Sequence, residues 1–377
     1  MTAEVPATNL TLLSLVKEDG ELEVSLARLP TPEPGEHGVL VKVLAAPINP
    51  SDLFLLFPAA DLGAAKASVR DGLPVVTTVV KKAGMPALAG RVGQALTIGN
   101  EASGIVVKAG ASADARALLG KTVAMLGGGM YTQYRCLPAQ MCMGLPDGTD
   151  PRDGASCFVN PLTALGFVET AKREGHTAII HSAAASNLGQ MLNRICIADG
   201  FPLVNIVRSE AQAALLKELG AQYVLVSTSP AFMDELTAAI AETGATIAFD
   251  AIGGGNLGEK ILSAMEAVAA RGMKVYNRYG SASFKQLYVY GALDLSPTIF
   301  TPTFGFRWSI SGWLLSHFLA AVGAETQQRM RARVVAELTT TFASHYSHEI
   351  ALERMLDLQA IAAYDAKRTG EKYLIRP

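Results

Sequence analysis

Ala178-Ile179-Ile180-His181-Ser182-Ala183-Ala184-Ala185-Ser186-Asn187-Leu188-Gly189 is the stretch on which the fold turns. Residues 178–182 form a short aliphatic run with the character of a buried strand. A helical pattern then fills residues 188–199. Only small residues lie between. A strand that turns through small residues into a helix gathers backbone N–H groups and the positive end of the helix dipole at one point, which suits a pyrophosphate. The usual G-x-G-x-x-G has become A-A-A-S-N-L-G, with Gly189 as its one surviving glycine. By itself this loop also fits ordinary strand–helix packing.

The flanking sequence decides between the two. Helical spacing over 162–173 precedes the loop. After the 188–199 helix come a strand (202–207), a helix (210–219), a strand (223–226), a helix (232–243), a strand (247–251), a helix (256–269) and a strand (273–276). Unbroken alternation predicts right-handed β-α-β units and a parallel sheet covered on both faces. The second strand ends Asn205-Ile206-Val207-Arg208-Ser209. A dinucleotide site for NAD carries an acidic residue near this point for the ribose hydroxyls. Here Arg208 stands 19 residues beyond Gly189. A guanidinium pairs bidentately with a 2′-phosphate and Ser209 adds a hydroxyl, so the residues favour NADP(H). The competing reading is a solvated surface arginine.

Outside this region the first third reads as strands, at 39–45, 102–109 and 121–126, which predicts a β-rich domain. Residues 58–96 show weak periodicity and read as an insertion or lid-like excursion. A long helical pattern runs over 309–344, and the tail 352–377 reads as helix then strand. The expected division is 1–154, 155–310 and 311–377.

Bulk properties narrow the function classes. The chain has 377 residues, 50% hydrophobic and 18% charged, with a net charge of −2. That charge does not suggest a nucleic-acid partner. Residues 1–6 lack the pattern of a signal peptide. The apolar stretch 310–322 is too short for a membrane span and reads as a buried or interface helix. The four cysteines form no C-x-x-C pair and read as reduced, buried thiols of a cytoplasmic protein.

Several further segments carry a family resemblance. Asn49-Pro50-Ser51-Asp52 resembles an N-P-x-D segment, Gly99-Asn100-Glu101-Ala102-Ser103-Gly104 a G-x-E-x-x-G strand, Leu162-Thr163-Ala164 an L-T-A helix start, and Asp250-Ala251-Ile252-Gly253-Gly254 a D-x-x-G-G strand end. In this order they resemble the medium-chain dehydrogenase/reductase superfamily, in its zinc-independent NADPH:quinone oxidoreductase and enoyl reductase branch. The resemblance implies an α/β fold: a doubly wound Rossmann sheet plus a β-rich GroES-like catalytic domain that the C-terminal part rejoins. It implies NADP(H) in the cleft between the two, a homodimer joined through sheet edges near 291–300, and hydride transfer to a quinone or activated alkene. An enoyl-thioester reductase and a non-catalytic NADPH-binding protein are the alternatives. No metal is expected, because Ser51 and Asn100 stand near the positions of superfamily zinc ligands and neither is a good one.

The resemblance also offers site residues. Asn49 would lie beside the nicotinamide or the substrate carbonyl, with an Asx-turn cap as its structural alternative. Asn160 and Thr163 would face the nicotinamide side, unless Thr163 caps its helix. Ala185, Ser186, Asn187, Leu188 and Gly189 would hold the pyrophosphate, Arg208 and Ser209 the 2′-phosphate, and Ala251, Ile252 and Gly253 the next turn. Either Tyr276 or Tyr279 would stand at the end of the fifth strand. Asp52 reads as structural. His181 reads as a packed core histidine. The enoyl reductases use a tyrosine shortly after the N-P-x-D segment, but this chain has Phe54 and Phe57 there, and phenylalanine supplies no proton. Asn49, Tyr279 and Tyr131 are therefore the catalytic candidates, with no acid assigned.

Overall fold

The computed structural model describes residues 4–377, so the first three residues of the leader reading lie outside it. The described chain divides into two compact units, residues 4–159 with 334–377, and residues 160–333.

The first unit is β-rich. One of its sheets runs in the order Lys66–Arg70, Leu73–Val79, Glu21–Pro30, Thr8–Val16, Ala95–Thr97. The other runs Cys142–Gly144, Thr122–Leu126, Glu101–Ala109, Gly38–Pro47, Tyr373–Arg376, His348–Ala351, and Tyr134–Pro138 also pairs with Gly38–Pro47. The last strand returns from the C-terminus, setting Leu374 opposite Pro47. Leu12, Leu22, Val24, Val41, Val43 and Tyr131 belong to one shared core.

Residues 58–96 are not a lid. They supply a hairpin and a short strand to the first sheet. The hairpin turns at Asp71-Gly72, both with positive φ (+53° and +76°), the backbone that Asp-Gly favours between twisted strands. Valines on both strands continue the pattern, so the Asp-Gly pair was the overlooked signal.

The second unit holds a six-stranded parallel sheet: β1 (Ile179–His181), β2 (Leu203–Val207), β3 (Tyr223–Val226), β4 (Ile247–Asp250), β5 (Lys285–Val289) and β6 (Trp308–Gly312). Their order is β3-β2-β1-β4-β5-β6, and every pairing is parallel. This is the doubly wound order, whose reversal between β1 and β4 marks where ligands bind. Four helices connect the first five strands: α1 (Asn187–Asp199), α2 (Glu210–Glu218), α3 (Phe232–Thr243) and α4 (Leu257–Arg271). Leu236 and Ile240 of α3, with Ile261 and Met265 of α4, cover one face over Ile180, Val204 and Ala248. On the other face Phe167, from the helix Val159–Arg173, stacks on Phe249 of β4 at 4.0 Å between ring centres.

Three sequence expectations change here. The fifth strand is Lys285–Val289, not 273–276; Val275 and Tyr276 are 79% and 88% exposed, in a loop before the strand. The true strand was hidden because it opens with Lys285 and Gln286. Both are buried and satisfied: Lys285 Nζ donates to Glu266 Oε2, and Gln286 Nε2 donates to Ser311 Oγ at 3.1 Å. The 309–344 helix is instead β6 followed by helices Leu315–Val322 and Ala324–Ala336, broken at Gly323. The division before the C-terminal part falls at 333/334 instead of 310/311, because the helix Leu315–Val322 and most of the helix Ala324–Ala336 belong to the second unit.

Candidate functional site

At the switch point β1 ends at His181 and the chain turns through Ser182, Ala183, Ala184 and Ala185 into α1. Ala183 adopts φ +49°, a conformation that non-glycine residues seldom take. The turn is tied down from several sides. Ser182 N–H donates to Phe249 O at 3.1 Å and Ala184 N–H to Ile206 O at 3.1 Å. Ser186 is the N-cap of α1, and its Oγ accepts from Gly189 N–H at 3.2 Å. Gln190 N–H donates to Ser186 O at 2.9 Å, and the positive end of the α1 dipole faces the turn, where it suits an anion. Gly189 is irreplaceable, because a Cβ there would lie 2.2 Å from Ala184 O.

The neighbouring strand ends complete this rim. Asp250, buried at the end of β4, accepts from Ser182 Oγ at 2.5 Å, Ile252 N–H at 2.9 Å and Gly253 N–H at 3.1 Å. Ser182 Oγ in turn accepts from Ala251 N–H at 2.8 Å. The D-x-x-G-G segment is therefore a carboxylate-braced turn. Arg208 stands exposed just past β2, and no side chain among the described residues holds its guanidinium. Ser209 caps α2, accepting from Gln212 N–H at 3.4 Å. These groups could hold a pyrophosphate at α1 and a further phosphate at Arg208.

Tyr276 and Tyr279 do not join this rim. They precede β5, at the opposite end of a parallel sheet. The Tyr-Gly pair after β5 is Tyr290-Gly291, which sequence reading missed because the strand itself was misplaced. Tyr290 OH lies 2.7 Å from His181 Nε2. A Cβ on Gly291 would lie 2.7 Å from Ala251 O, so the β5 and β4 turns pack backbone to backbone. His181 is fully buried, which pushes its pKa down to about 3 and keeps it neutral, as a core histidine. Thr163 is buried within the helix Val159–Arg173 and does not cap it; Asn160 lies in the first turn.

The first unit builds a second polar cluster around Asn49. Asn49 precedes the helix Pro50–Leu56, and its N–H donates to Asp52 Oδ2 at 2.8 Å, while Asp52 Oδ1 accepts from Asn100 N–H at 2.8 Å. Asp52 is thus structural, and burial pushes its pKa up to about 7. Asn49 Nδ2 donates to Glu101 Oε1 at 2.8 Å, and Asn49 is the N-cap of that helix, forming a capping box with Asp52, the structural alternative for this residue. Glu101 Oε2 accepts from Phe158 and Val159 N–H at 2.9 and 2.8 Å, bracing the start of the next helix. Burial raises the Glu101 pKa, and the Lys372 ammonium opposes that rise. Asn100 Nδ2 donates to Ser51 Oγ at 3.0 Å. Tyr131 is fully buried with its OH on Pro47 O at 3.0 Å. Burial raises its pKa well above the ordinary value, and its hydroxyl proton is engaged by Pro47 O.

Residues 35–147 match the alcohol dehydrogenase GroES-like domain family. The chain therefore contains an alcohol dehydrogenase GroES-like domain, joined to a second unit with a β3-β2-β1-β4-β5-β6 sheet. Solved structures align along nearly its whole length. A protein from Mesorhizobium loti assigned as an NADPH:quinone reductase has a TM-score of 0.74 at 24% identity, covering 99% of this chain and 100% of that one. A mutant enoyl thioester reductase from Candida tropicalis has a TM-score of 0.66 at 18% identity, covering 98% and 100%. These likenesses speak for the fold. In sequence, the mitochondrial enoyl-[acyl-carrier-protein] reductase of Rattus norvegicus is 28% identical over 197 residues, 50% of this chain. The match spans 44% of that relative's length.

Proposed function

We propose that this chain is a zinc-independent, NADPH-dependent oxidoreductase that reduces a quinone or an activated alkene. The observation that carries the reading is Arg208. It is exposed and, among the described residues, unpaired just past β2, where a site for NAD would place a carboxylate. The Ala183–Gly189 turn fits the pyrophosphate of such a ligand by its small side chains and the positive end of α1. NADPH supplies the hydride when bound. The chain's own residues bind and orient it: α1 by its N-terminus, Arg208 by charge, and the β4 and β5 turns by close-packed backbone. With Tyr131 committed to Pro47 O and phenylalanines at 54 and 57, no side-chain acid is assigned. That favours a quinone, whose reduced oxygens can take protons from water.

The experiment is NADPH oxidation against quinones, enones and crotonyl thioesters. Quinone turnover above thioester turnover is expected. The reverse order makes the chain an enoyl-thioester reductase, as the names of its relatives suggest. Tight NADPH binding without turnover makes it a binding protein. We further propose a cytoplasmic homodimer. The edge to test is β6, because Asp294–Thr298 pairs with Gly253–Gly255 and not with the main sheet.

A further inference from the structure

The first unit holds a pocket of about 150 Å³, lined from the strands Thr8–Val16, Glu21–Pro30, Ala95–Thr97 and Tyr134–Pro138 and the turns beside them. Its buried side is polar and already spent. Asn9, Thr11 and Thr132 are buried, and Asn9 Oδ1 accepts from Thr132 Oγ1 at 2.6 Å, Thr11 Oγ1 at 3.3 Å and Tyr134 N–H at 3.4 Å. It is the one side-chain carbonyl among the described lining residues, and an amide oxygen has only two lone pairs, so it keeps nothing for a ligand. Arg135 is the opposite case. It is half-buried, with Nε donating to Gly128 O at 2.8 Å and Nη1 to Cys136 O at 2.9 Å. Those carbonyls fix the plane of the guanidinium and leave Nη2 and the second N–H of Nη1 without a partner among the described residues. No acidic side chain among the described residues lines the pocket to meet the charge. A cation partly withdrawn from water favours a counter-charge. Thr97 Oγ1 also has no partner among the described residues. A Cβ on Gly129 would fall 2.8 Å from Thr97 Oγ1 and 3.3 Å from Arg135 Nε, so hydroxyl and guanidinium flank one point that the glycine keeps clear. Leu29, Pro30 and Pro32 add an apolar wall.

We propose that this pocket binds a small carboxylate, whose oxygens meet Arg135 and Thr97 and whose short carbon chain lies on Leu29, Pro30 and Pro32. The free end of the guanidinium presents parallel N–H groups, the fork that a carboxylate accepts bidentately. Thr97 adds a neutral donor. Inorganic phosphate would satisfy the charge and leave the apolar wall unused. A volume of about 150 Å³ suits a ligand of about six non-hydrogen atoms, the size of butyrate. Every residue of the site belongs to the first unit, so it stands or falls independently of the dinucleotide reading.

Sodium butyrate titrated into the full chain tests this, followed by amide-detected NMR against sodium chloride at matched ionic strength. The amide signals of Thr97, Gly129 and Arg135 should shift and saturate with butyrate and not with chloride. Inorganic phosphate, titrated in the same way, should bind more weakly. Arg135→Met keeps the stem and removes the fork, and should weaken butyrate binding at least about tenfold, the loss of a charge-assisted hydrogen bond. Thr97→Val keeps the shape and removes the hydroxyl, and should weaken it about fivefold, the loss of a neutral one. Thermal unfolding of each variant checks the fold. A purely structural Arg135, clamping Gly128 O and Cys136 O, would lower the melting temperature and leave the butyrate Kd alone. The proposal is overturned if butyrate shifts do not saturate or fall elsewhere, or if folded Arg135→Met binds butyrate as the wild type does. Phosphate binding as tight as butyrate or tighter overturns the carboxylate assignment. Should Arg135→Met not fold, Thr97→Val on its exposed strand decides: weakened binding supports the proposal and unchanged binding overturns it.

Discussion

Replacing Gly189 by alanine probes the phosphate turn with a single methyl group. Built on the existing backbone, that Cβ would lie 2.2 Å from Ala184 O, 2.6 Å from its carbonyl carbon and 2.7 Å from its Cα. Ordinary carbon–carbon contact is about 3.5–4.0 Å, so α1 or the turn must shift by roughly 1 Å. No flexible side chain can absorb the shift, because all three atoms are backbone, and Ala184 is itself held to Ile206 O at 3.1 Å. Overpacking of this kind costs about 1–3 kcal/mol, and an all-backbone clash belongs at the upper end. For a unit the size of residues 160–333, about 3 kcal/mol corresponds to a fall in Tm of roughly 6–12 °C. The shift also displaces the N–H groups that would meet a pyrophosphate, so NADPH affinity should fall at least about tenfold, equivalent to about 1.4 kcal/mol. Scanning calorimetry with an NADPH titration is the assay. Gly272→Ala is the control, because its Cβ would meet nothing closer than 3.6 Å. A Gly189→Ala protein that melts and binds NADPH like the wild type refutes the close-approach reasoning.

Other consequences follow from the buried polar groups. His181 has a pKa near 3 in the fold, below its ordinary 6.5. The unfolded chain then binds more protons between those values, so stability is lost as pH falls from about 6.5 toward 3, by up to roughly 1.4 kcal/mol per pH unit. His181→Gln should flatten that slope in denaturant titrations at pH 4–6, and an unchanged slope would count against a neutral buried histidine. Lys285 is fully buried on Glu266, so Glu266→Ala should destabilise by about 3–5 kcal/mol. The apolar pair Glu266→Leu with Lys285→Met should recover part of that, because Ser281 N–H and Oγ still lose their acceptor, and equal melting temperatures for the single and double variants would contradict it.

The sequence carried most of the second unit, because strands and helices alternate from 178 to 269 with few ambiguous residues. It failed where polarity and burial part company. Lys285-Gln286-Leu287-Tyr288-Val289 reads as half surface until Glu266 and Ser311 are seen satisfying its first two side chains. The exposed Met273-Lys274-Val275-Tyr276 took its place and drew the Tyr-Gly pair to the wrong end of the sheet. The hairpin at Asp71-Gly72 was written in local residues and could have been found. Glu101 could not. Its partners Asn49, Phe158 and Val159 lie more than 50 positions away on either side, and no local pattern links them.

The central claim is that Arg208 makes the second unit a site for the 2′-phosphate of NADPH. Dissociation constants of NADPH and NADH, measured for the wild type and for Arg208→Ala, test it most directly. The wild type should prefer NADPH, and the variant should lose about 1.5–3 kcal/mol for NADPH while NADH affinity stays constant. Equal affinity of the wild type for both, or an equal loss of both in the variant, would contradict the claim.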